Sequence, residues 1–342
     1  MSALINHQIL LASRPPREAT PDNFRLVQVP LPDPGQIKEG HVLVRHRYLS
    51  LDPYMRGRMD ESLGYAVPHP LDQVMLGATA GEVLVSKNAE FKVGESVIGH
   101  GGWQDYSVVD ATRPGALRKV DTARIPLSAY LGAVGMPGVA AWYGLTQIIA
   151  PKAGETLVVS AAAGAVGSVV GQLAKLRGCR VVGLAGGPDK CRFVEELGFD
   201  VCIDYKQYPD LRSLSEALQR ACPNGIDGCF ENVGGLILDA VMQRANTFSR
   251  IAVCGMIAGY NGAPQAMTNP TLMLVNRMRV EGFIVGDHLG LWPQALQELG
   301  ELVASGTLKY RETIAQGLAS APEAFIGLLT GKNFGKQLVK LH

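Results

Sequence analysis

The sequence has 342 residues, a formal net charge of +1 and 18% charged residues. This length exceeds one typical domain, so we expect two domains. The near-neutral balance lacks the basic surface that binds phosphate backbones, so we expect no nucleic-acid partner. Residues 9–12 form too short an apolar run for a signal peptide, and no run approaches the ~20 residues of a membrane span. A cytoplasmic protein without a membrane partner is the expectation.

The six cysteines all lie between residues 179 and 254, and no two have the CxxC spacing of a metal clip. We expect reduced, mostly buried thiols that pack as small hydrophobic side chains, because Cys202 and Cys254 stand in apolar, strand-like segments.

The first 125 residues predict a β-rich domain. They contain short β-branched segments separated by Pro, Gly and Asp, at residues 42–45, 81–85, 96–98 and 106–109. After Pro126, strands and helices alternate, which is typical of a parallel sheet. Six strands are predicted, in LVVSAAA, RVVGLAG, DVCIDY, GCFENV, RIAVCGMI and RVEGFIVG. One helix is predicted after the first strand, through Lys175, and others over residues 189–197, 211–221, 236–245 and 292–304.

Six such strands make a complete doubly wound sheet, so the fold class is α/β, a Rossmann sheet plus a second, β-rich domain. The segment from residue 309 to 342 again shows short strands, around one helix at 322–329. We expect this segment to return to the first domain.

The strongest local signal for a ligand is a glycine-rich turn between a β-branched strand and a long helix. Ala162, Gly164 and Gly167 stand at the three positions of the GxGxxG fingerprint, with Ala replacing the first Gly. Gly164 would let the backbone approach a pyrophosphate, and Gly167 would let the helix pack on the strand. The turn predicts a dinucleotide site; a helix-packing turn of small residues is the alternative.

The end of the second strand indicates which dinucleotide is bound. An NAD enzyme places an acidic residue there for the ribose, whereas this chain has Gly186 and Gly187, followed by Lys190. A 2′-phosphate would find room and a positive partner, so NADP(H) is favoured over NAD(H), although Lys190 could also be a solvated surface residue. Asp189 is the nearby carboxylate, and we interpret it as a helix N-cap.

Five segments together resemble a known family. They are LSLDPYMRGRM (49–59), GMPGVAAWYGL (135–145), the strand, turn and helix from residue 155, ENVGG (231–235) and GKNFGK (331–336). They are similar to the medium-chain dehydrogenase/reductase superfamily, and within it to the zinc-free branch of leukotriene B4 dehydrogenase/prostaglandin reductases and bacterial curcumin reductases. The resemblance extends over nearly the whole chain.

The resemblance implies a discontinuous GroES-like catalytic domain, residues 1–126 and 305–342, that clasps NADPH against a Rossmann domain, residues 127–304. It implies that Lys190 and Tyr205 hold the 2′-phosphate. The other implied cofactor contacts are Gly164, Ala165, Val166, Gly167, Asn232, Cys254, Gly255, Tyr260, Phe283, Ile284, Val285 and Asn333. Asn232 and Asn333 could alternatively be turn residues.

The zinc enzymes of that superfamily need Cys, His and acidic ligands and a four-Cys lobe. The first domain has no cysteine, and LGATAGE stands where a GHE motif would supply a ligand. The histidines within residues 1–126, at positions 7, 41, 46, 69 and 100, show no metal-ligand spacing. No metal is expected, and metal-assisted carbonyl reduction is disfavoured.

The expected reaction is NADPH-dependent reduction of the carbon-carbon double bond of α,β-unsaturated ketones and aldehydes. Hydride transfer to an enone makes an enolate, whose charge a hydroxyl donor can stabilise. The resemblance points to Tyr260, Tyr54 and Tyr65, and Tyr260 is preferred because it follows a strand at its carboxyl end. Tyr54 could instead be a packing residue.

Two alternatives remain open at this stage. The same scaffold could reduce quinones or oxidise alcohols, and the chain could be a non-catalytic NADPH-binding protein. We also expect a homodimer, because the segment RMRVEGFIVG would be an exposed edge strand, and edges are usually paired or protected.

Overall fold

The computed structural model describes residues 5–61, 67–262 and 265–342. The chain divides into two compact units, Met1–Gly132 with Glu312–His342, and Ala133–Arg311. Both divisions fall a few residues further along the chain than the boundaries after residues 126 and 304 that the family resemblance implies.

The strands in the described residues are β1 Ile5–Leu11, β2 Phe24–Pro30, β3 His41–Ser50, β4 Thr79–Ser86, β5 Ser96–Gly99, β6 Tyr106–Asp110, β7 Leu117–Lys119, β8 Thr156–Val159, β9 Arg180–Ala185, β10 Val201–Asp204, β11 Ile226–Glu231, β12 Ala245–Val253, β13 Arg279–Gly282, β14 Glu312–Gln316 and β15 Lys336–Lys340. The α-helices are α1 Tyr54–Arg58, α2 Met136–Tyr143, α3 Gly167–Leu176, α4 Pro188–Glu196, α5 Leu211–Ala221, α6 Gly235–Arg244, α7 Thr271–Val275, α8 Trp292–Ala304 and α9 Ala321–Leu329. Short 3₁₀ turns include Leu127–Leu131, Tyr205–Gln207, Ile257–Gly259 and Val285–Leu291, and Gly144–Ile149 is π-helical.

The first unit is built on a mainly antiparallel sheet with the strand order β14-β15-β3-β4-β5-β7, in which β6 also pairs with β3. The strand β15 pairs with β3 antiparallel, with Leu338 opposite Ser50, so the carboxyl terminus joins this sheet. Trp103 is fully buried, stacks on Phe24 with 5.3 Å between ring centroids and meets Phe325 edge-on. This aromatic cluster anchors the core on which α1 lies.

The second unit contains six parallel strands in the order β10-β9-β8-β11-β12-β13. This confirms the predicted doubly wound sheet. Its central strands read as continuous apolar runs because helices cover both faces of a parallel sheet, and Val158 and Val182 are accordingly fully buried. The strand order reverses between β8 and β11, where ligands bind in this class of fold.

The helix predictions over 211–221 and 292–304 are confirmed residue for residue by α5 and α8. The prediction for Asp189 is wrong. Helix α4 begins at Pro188, its N-cap is Gly187 at φ 105, and Asp189 lies inside the first turn, where its carboxylate pairs with Arg192. Glycine adopts this positive φ without strain, and no side chain makes a capping hydrogen bond at this helix start.

The pattern also did not predict α2 and the π-helical segment after it. Their sequence, GMPGVAAWYGLTQII, is rich in residues that usually break helices, but Pro137 stands in the first turn, where its missing N–H costs no hydrogen bond. Nearly all of α2 is buried, so tertiary packing stabilises it. None of the helices in the described ranges is long and apolar enough to cross a membrane.

Candidate functional site

The reversal point of the second unit's sheet carries a hydrogen-bonded cluster of polar side chains. Ser160 directly follows β8, Glu231 ends β11, and Asn232 is the next residue. The Asn232 backbone N–H donates to Ser160 Oγ at 2.7 Å, and its side-chain amide donates to the Ser160 carbonyl at 2.8 Å. Asn232 is therefore held by the neighbouring strand at the edge where a dinucleotide would lie.

Glu231 organises this cluster from beneath. It is fully buried, and its Oε1 accepts hydrogen bonds from Ser160 Oγ at 2.8 Å and from the backbone N–H groups of Val233 and Gly234 at 2.6 and 2.8 Å. Burial raises the pKa of Glu231, while these donors act in the opposite direction. The carboxyl group thus replaces the backbone partners that the turn after β11 lacks.

The glycine-rich turn has the close packing that its sequence predicted. A Cβ added to Gly167 would lie 2.5 Å from the Ala161 carbonyl oxygen and 2.9 Å from the Ala162 Cα. At Gly164 the nearest atom would be that same carbonyl oxygen, at 3.1 Å. No side chain caps the amino end of α3, so its positive dipole end is available to an anion. These features fit a bound pyrophosphate.

The segment after β12 brings Tyr260 beside Asn232. The Ile257 N–H donates to the Asn232 carbonyl at 3.2 Å, which ties the two loops together. The Tyr260 hydroxyl accepts from the Met256 N–H at 3.4 Å, and a Cβ on Gly255 would lie 3.3 Å from both the hydroxyl and the Asn232 carbonyl. Burial raises the pKa of Tyr260, so the phenol keeps its proton and can donate it in a hydrogen bond.

The end of β9 has the basic character expected of a 2′-phosphate pocket. A Cβ on Gly186 would lie 2.9 Å from the Tyr205 hydroxyl and 3.0 Å from Lys206 Cε, so two side chains cover this glycine. Lys190 lies on the first turn of α4, and burial together with the charge of Lys206 lowers its pKa. Asp204 Oδ1 accepts from the Gly187 N–H at 2.8 Å and joins the turn to β10.

Phe283, Ile284 and Val285 follow β13 directly. The Phe283 N–H donates to the Val253 carbonyl at 3.3 Å, so the parallel pairing of β12 and β13 continues one residue beyond the strand. Val285 is buried and its carbonyl accepts from the Trp292 indole at 3.1 Å, while Ile284 is exposed. The three residues leave the sheet at the same edge as Tyr260.

In the first unit, Tyr54 opens α1, and Asn333 is buried and donates to the Gly335 carbonyl at 2.8 Å. The segments that carry them are joined by Lys336, whose ammonium donates to Asp52 Oδ1 at 2.6 Å and to the Leu51 carbonyl at 2.7 Å. Burial lowers the pKa of Lys336. Tyr65 lies outside the described residues.

The cysteine thiols are not activated. All six are free; four are buried, and Cys202 and Cys254 are half-buried. Burial raises the pKa of Cys254 to about 12 and that of Cys222 to about 11, so neither is a thiolate near neutral pH. Within the described part of the chain, no group of three or more His, Cys, Asp or Glu side chains could hold a metal ion.

Comparison with known proteins now adds to this geometry. Residues 7–117 match the family described as the N-terminal domain of oxidoreductase, and residues 165–304 match the one described as zinc-binding dehydrogenase. The NADPH-dependent curcumin reductase of Escherichia coli is 46% identical over 344 residues, which cover 98% of this chain and 97% of that protein. The chain belongs to the zinc-independent branch of the medium-chain dehydrogenase/reductase family.

Two further relatives support this membership. The 2-alkenal reductase (NADP(+)-dependent) of Nicotiana tabacum is 43% identical over 87% of this chain and 86% of its own length. The crystal structure of CurA in complex with NADPH from Vibrio vulnificus superposes with a TM-score of 0.91 at 46% identity, covering 98% of this chain and 99% of that one. The family's two-domain reductase fold therefore extends through nearly the whole chain.

The geometry also identifies residues of the site that the sequence pattern missed. Glu231 and Ser160 hold Asn232 in place, Lys206 lies over Gly186, and Lys336 joins the segments of Tyr54 and Asn333. Glu231 lies in the motif ENVGG and Lys336 in the motif GKNFGK, and this membership is the only sign of their importance that the sequence offered. Their roles depend on distant partners, which a local pattern does not show.

Proposed function

We propose that the protein catalyses the NADPH-dependent reduction of the carbon-carbon double bond of α,β-unsaturated ketones and aldehydes. Two relatives, a curcumin reductase and a 2-alkenal reductase, support this substrate class. The observation that carries the proposal is the Tyr260 hydroxyl, a neutral donor held beside Asn232 at the carboxyl edge of the sheet. A donor of this kind suits an oxygen that gains negative charge during the reaction.

We propose that NADPH binds along this edge of the second unit. The turn from Gly164 through Ala165 and Val166 to Gly167 would take the pyrophosphate, and Lys190 with Tyr205 the 2′-phosphate. The remainder of the cofactor would contact Asn232, Cys254, Gly255, Tyr260, Phe283, Ile284 and Val285. Asn333 is a further proposed cofactor contact. When bound, the nicotinamide supplies the hydride.

The chain's own part in the reaction is to bind, orient and stabilise charge. The Tyr260 phenol would donate a hydrogen bond to the carbonyl oxygen of the enone as the enolate forms. Tyr54 and Tyr65 are further candidates for this hydroxyl role or for delivery of a proton to the α-carbon, which a tyrosine or water would complete.

The test is NADPH oxidation in the presence of a conjugated enone and of an enal, with NADH in parallel and identification of the saturated product. Substitution of Tyr260 by Phe should lower kcat by about 10²-fold, the usual effect of losing one oxyanion donor, with little change in NADPH affinity. Tyr106→Phe on β6 loses the same hydroxyl in the first unit and is the matched control.

The alternatives predict different results in the same assay. Turnover of quinones or secondary alcohols without alkene reduction would replace the proposed reaction and withdraw the role of Tyr260. NADPH binding without turnover of any activated alkene, quinone or alcohol would indicate a non-catalytic binding protein.

We propose in addition that the protein is a homodimer paired through β13, which ends the strand order of the second sheet. Leu274, Val275 and Leu289, which flank this strand in the chain, are large apolar residues that lie exposed. Exposed sheet edges and apolar patches usually mark contact surfaces. Light scattering at micromolar concentration should give twice the chain mass of 36.5 kDa, and a monomer would reject the proposal.

We also propose a cytoplasmic location, because free thiols such as the six found here persist in a reducing compartment.

A further inference from the structure

We propose that Lys206 is a second cationic ligand of the adenosine 2′-phosphate and shares with Lys190 the selectivity for NADPH over NADH. This inference rests on the proposed function, because it names a further residue at the same cofactor site. Sequence reasoning did not single out Lys206, since the position lies in a turn two residues after β10, and only the tertiary structure brings it to the end of β9.

The first support is the position of the side chain. A Cβ added to Gly186 would come within 3.0 Å of Lys206 Cε and 2.9 Å of the Tyr205 hydroxyl. The two neighbouring residues therefore cover the same glycine, at the strand end where an NAD enzyme would place its acidic residue. Lys206 Cε, the atom bonded to the ammonium nitrogen, therefore lies beside the space that a side chain at position 186 would take.

The second support is the fixed backbone of this turn. Asp204 Oδ1 accepts hydrogen bonds from the Lys206 N–H at 3.2 Å and from the Gly187 N–H at 2.8 Å. One carboxylate thus connects the 3₁₀ turn Tyr205–Gln207 to the turn that begins α4. The Asp204 carboxylate therefore holds the backbone of Lys206 to the backbone that leads into the helix of Lys190.

The third support is electrostatic. Lys190 and Lys206 are near enough for the charge of Lys206 to lower the pKa of Lys190, in addition to the larger effect of burial. Among the described residues, no carboxylate forms an ion pair with the Lys206 ammonium. Two like charges that converge beside a glycine repel each other, and a phosphate dianion between them would convert that repulsion into attraction.

The test measures binding of two adenosine nucleotides that differ in the 2′-phosphate. Isothermal titration calorimetry with 2′,5′-ADP and with 5′-AMP is applied to the wild-type protein and to Lys206→Gln, Lys206→Arg and Lys190→Gln. We expect Lys206→Gln to lower the affinity for 2′,5′-ADP about tenfold and to leave the affinity for 5′-AMP unchanged within about twofold. Lys206→Arg should retain most of the affinity for 2′,5′-ADP. Added salt should reduce the difference between wild type and Lys206→Gln.

Lys152→Gln is the matched control. It removes the same charge from an exposed position ahead of β8, at the amino end of the sheet, and should bind both nucleotides like the wild type. Equal 2′,5′-ADP affinity in Lys206→Gln and the wild type, with a loss in Lys190→Gln, would overturn the role of Lys206 and leave the NADPH proposal intact. A wild-type protein without preference for 2′,5′-ADP would overturn both. If Lys206→Gln lost affinity for both nucleotides equally, the substitution would have damaged the turn, and this result would also reject the proposal.

Discussion

The buried pair of Lys336 and Asp52 allows a quantitative prediction. Their side chains are 4% and 6% exposed, and Lys336 Nζ lies 2.6 Å from Asp52 Oδ1. Ser50 Oγ also donates to the Asp52 carboxylate, and the Leu51 carbonyl accepts from Lys336. Substitution of Lys336 by Met keeps the length of the side chain but leaves a buried carboxylate without its cation.

Removal of one partner of a buried ion pair costs about 3–5 kcal/mol, because the remaining charge stays desolvated. We therefore expect Lys336→Met to lower the free energy of unfolding of the first unit by about that amount. The double variant with Asp52→Asn removes both charges and should recover part of the loss, with a coupling free energy of about 1–3 kcal/mol. The segments of Tyr54 and Asn333 should move in the single variant.

The assay is urea unfolding followed by tryptophan fluorescence. In a background with Trp142→Phe and Trp292→Phe, Trp103 reports on the first unit alone, which avoids treating two units as one transition. Lys119→Met is the control, because Lys119 forms an exposed pair with Glu95, and its loss should cost under about 1 kcal/mol. Additivity of the Lys336 and Asp52 substitutions within about 0.5 kcal/mol would refute the reasoning.

Three further predictions concern buried groups of the fold and the site. Burial lowers the pKa of His46 from 6.5 to about 3, so the neutral imidazole contributes its full stability above pH 6.5, and this stability is lost as the pH falls toward 3. Between pH 7 and pH 5, the free energy of unfolding of the wild type should fall by about 2 kcal/mol more than that of His46→Gln in urea titrations. Parallel pH dependences of the two proteins would contradict this. Gly167→Ala would push a Cβ into the Ala161 carbonyl and should lower the affinity for NADPH roughly tenfold, as measured by fluorescence titration. Gly290→Ala adds a Cβ that meets no atom within 4 Å, and this control should bind NADPH like the wild type. Glu231→Ala leaves three donors unsatisfied and should cost about 3 kcal/mol or more in thermal unfolding; a loss near zero would mean that water replaces the carboxylate.

The second unit shows how much local sequence can predict. Its strands are continuous apolar runs, its helices have an apolar period near 3.6, and the connections are short, so the six-stranded order follows from pattern and handedness rules. The same rules place Gly164, Tyr260 and Asn232 at strand ends. They failed at α2, whose Gly and Pro content opposes a helix, and at Asp189, because a glycine at positive φ provides the N-cap.

The sequence by itself determined the parallel sheet, the glycine-rich turn, the lack of an acidic residue after the second strand and the family motifs. Only the tertiary structure decided which side chains meet at those positions. Lys206 reaches Gly186 because β10 lies beside β9, and Lys336 reaches Asp52 because β15 pairs with β3 across nearly the full length of the chain. Local patterns report the conformation of neighbouring residues, whereas a buried charge or a shared anion site depends on partners that strand pairing brings together.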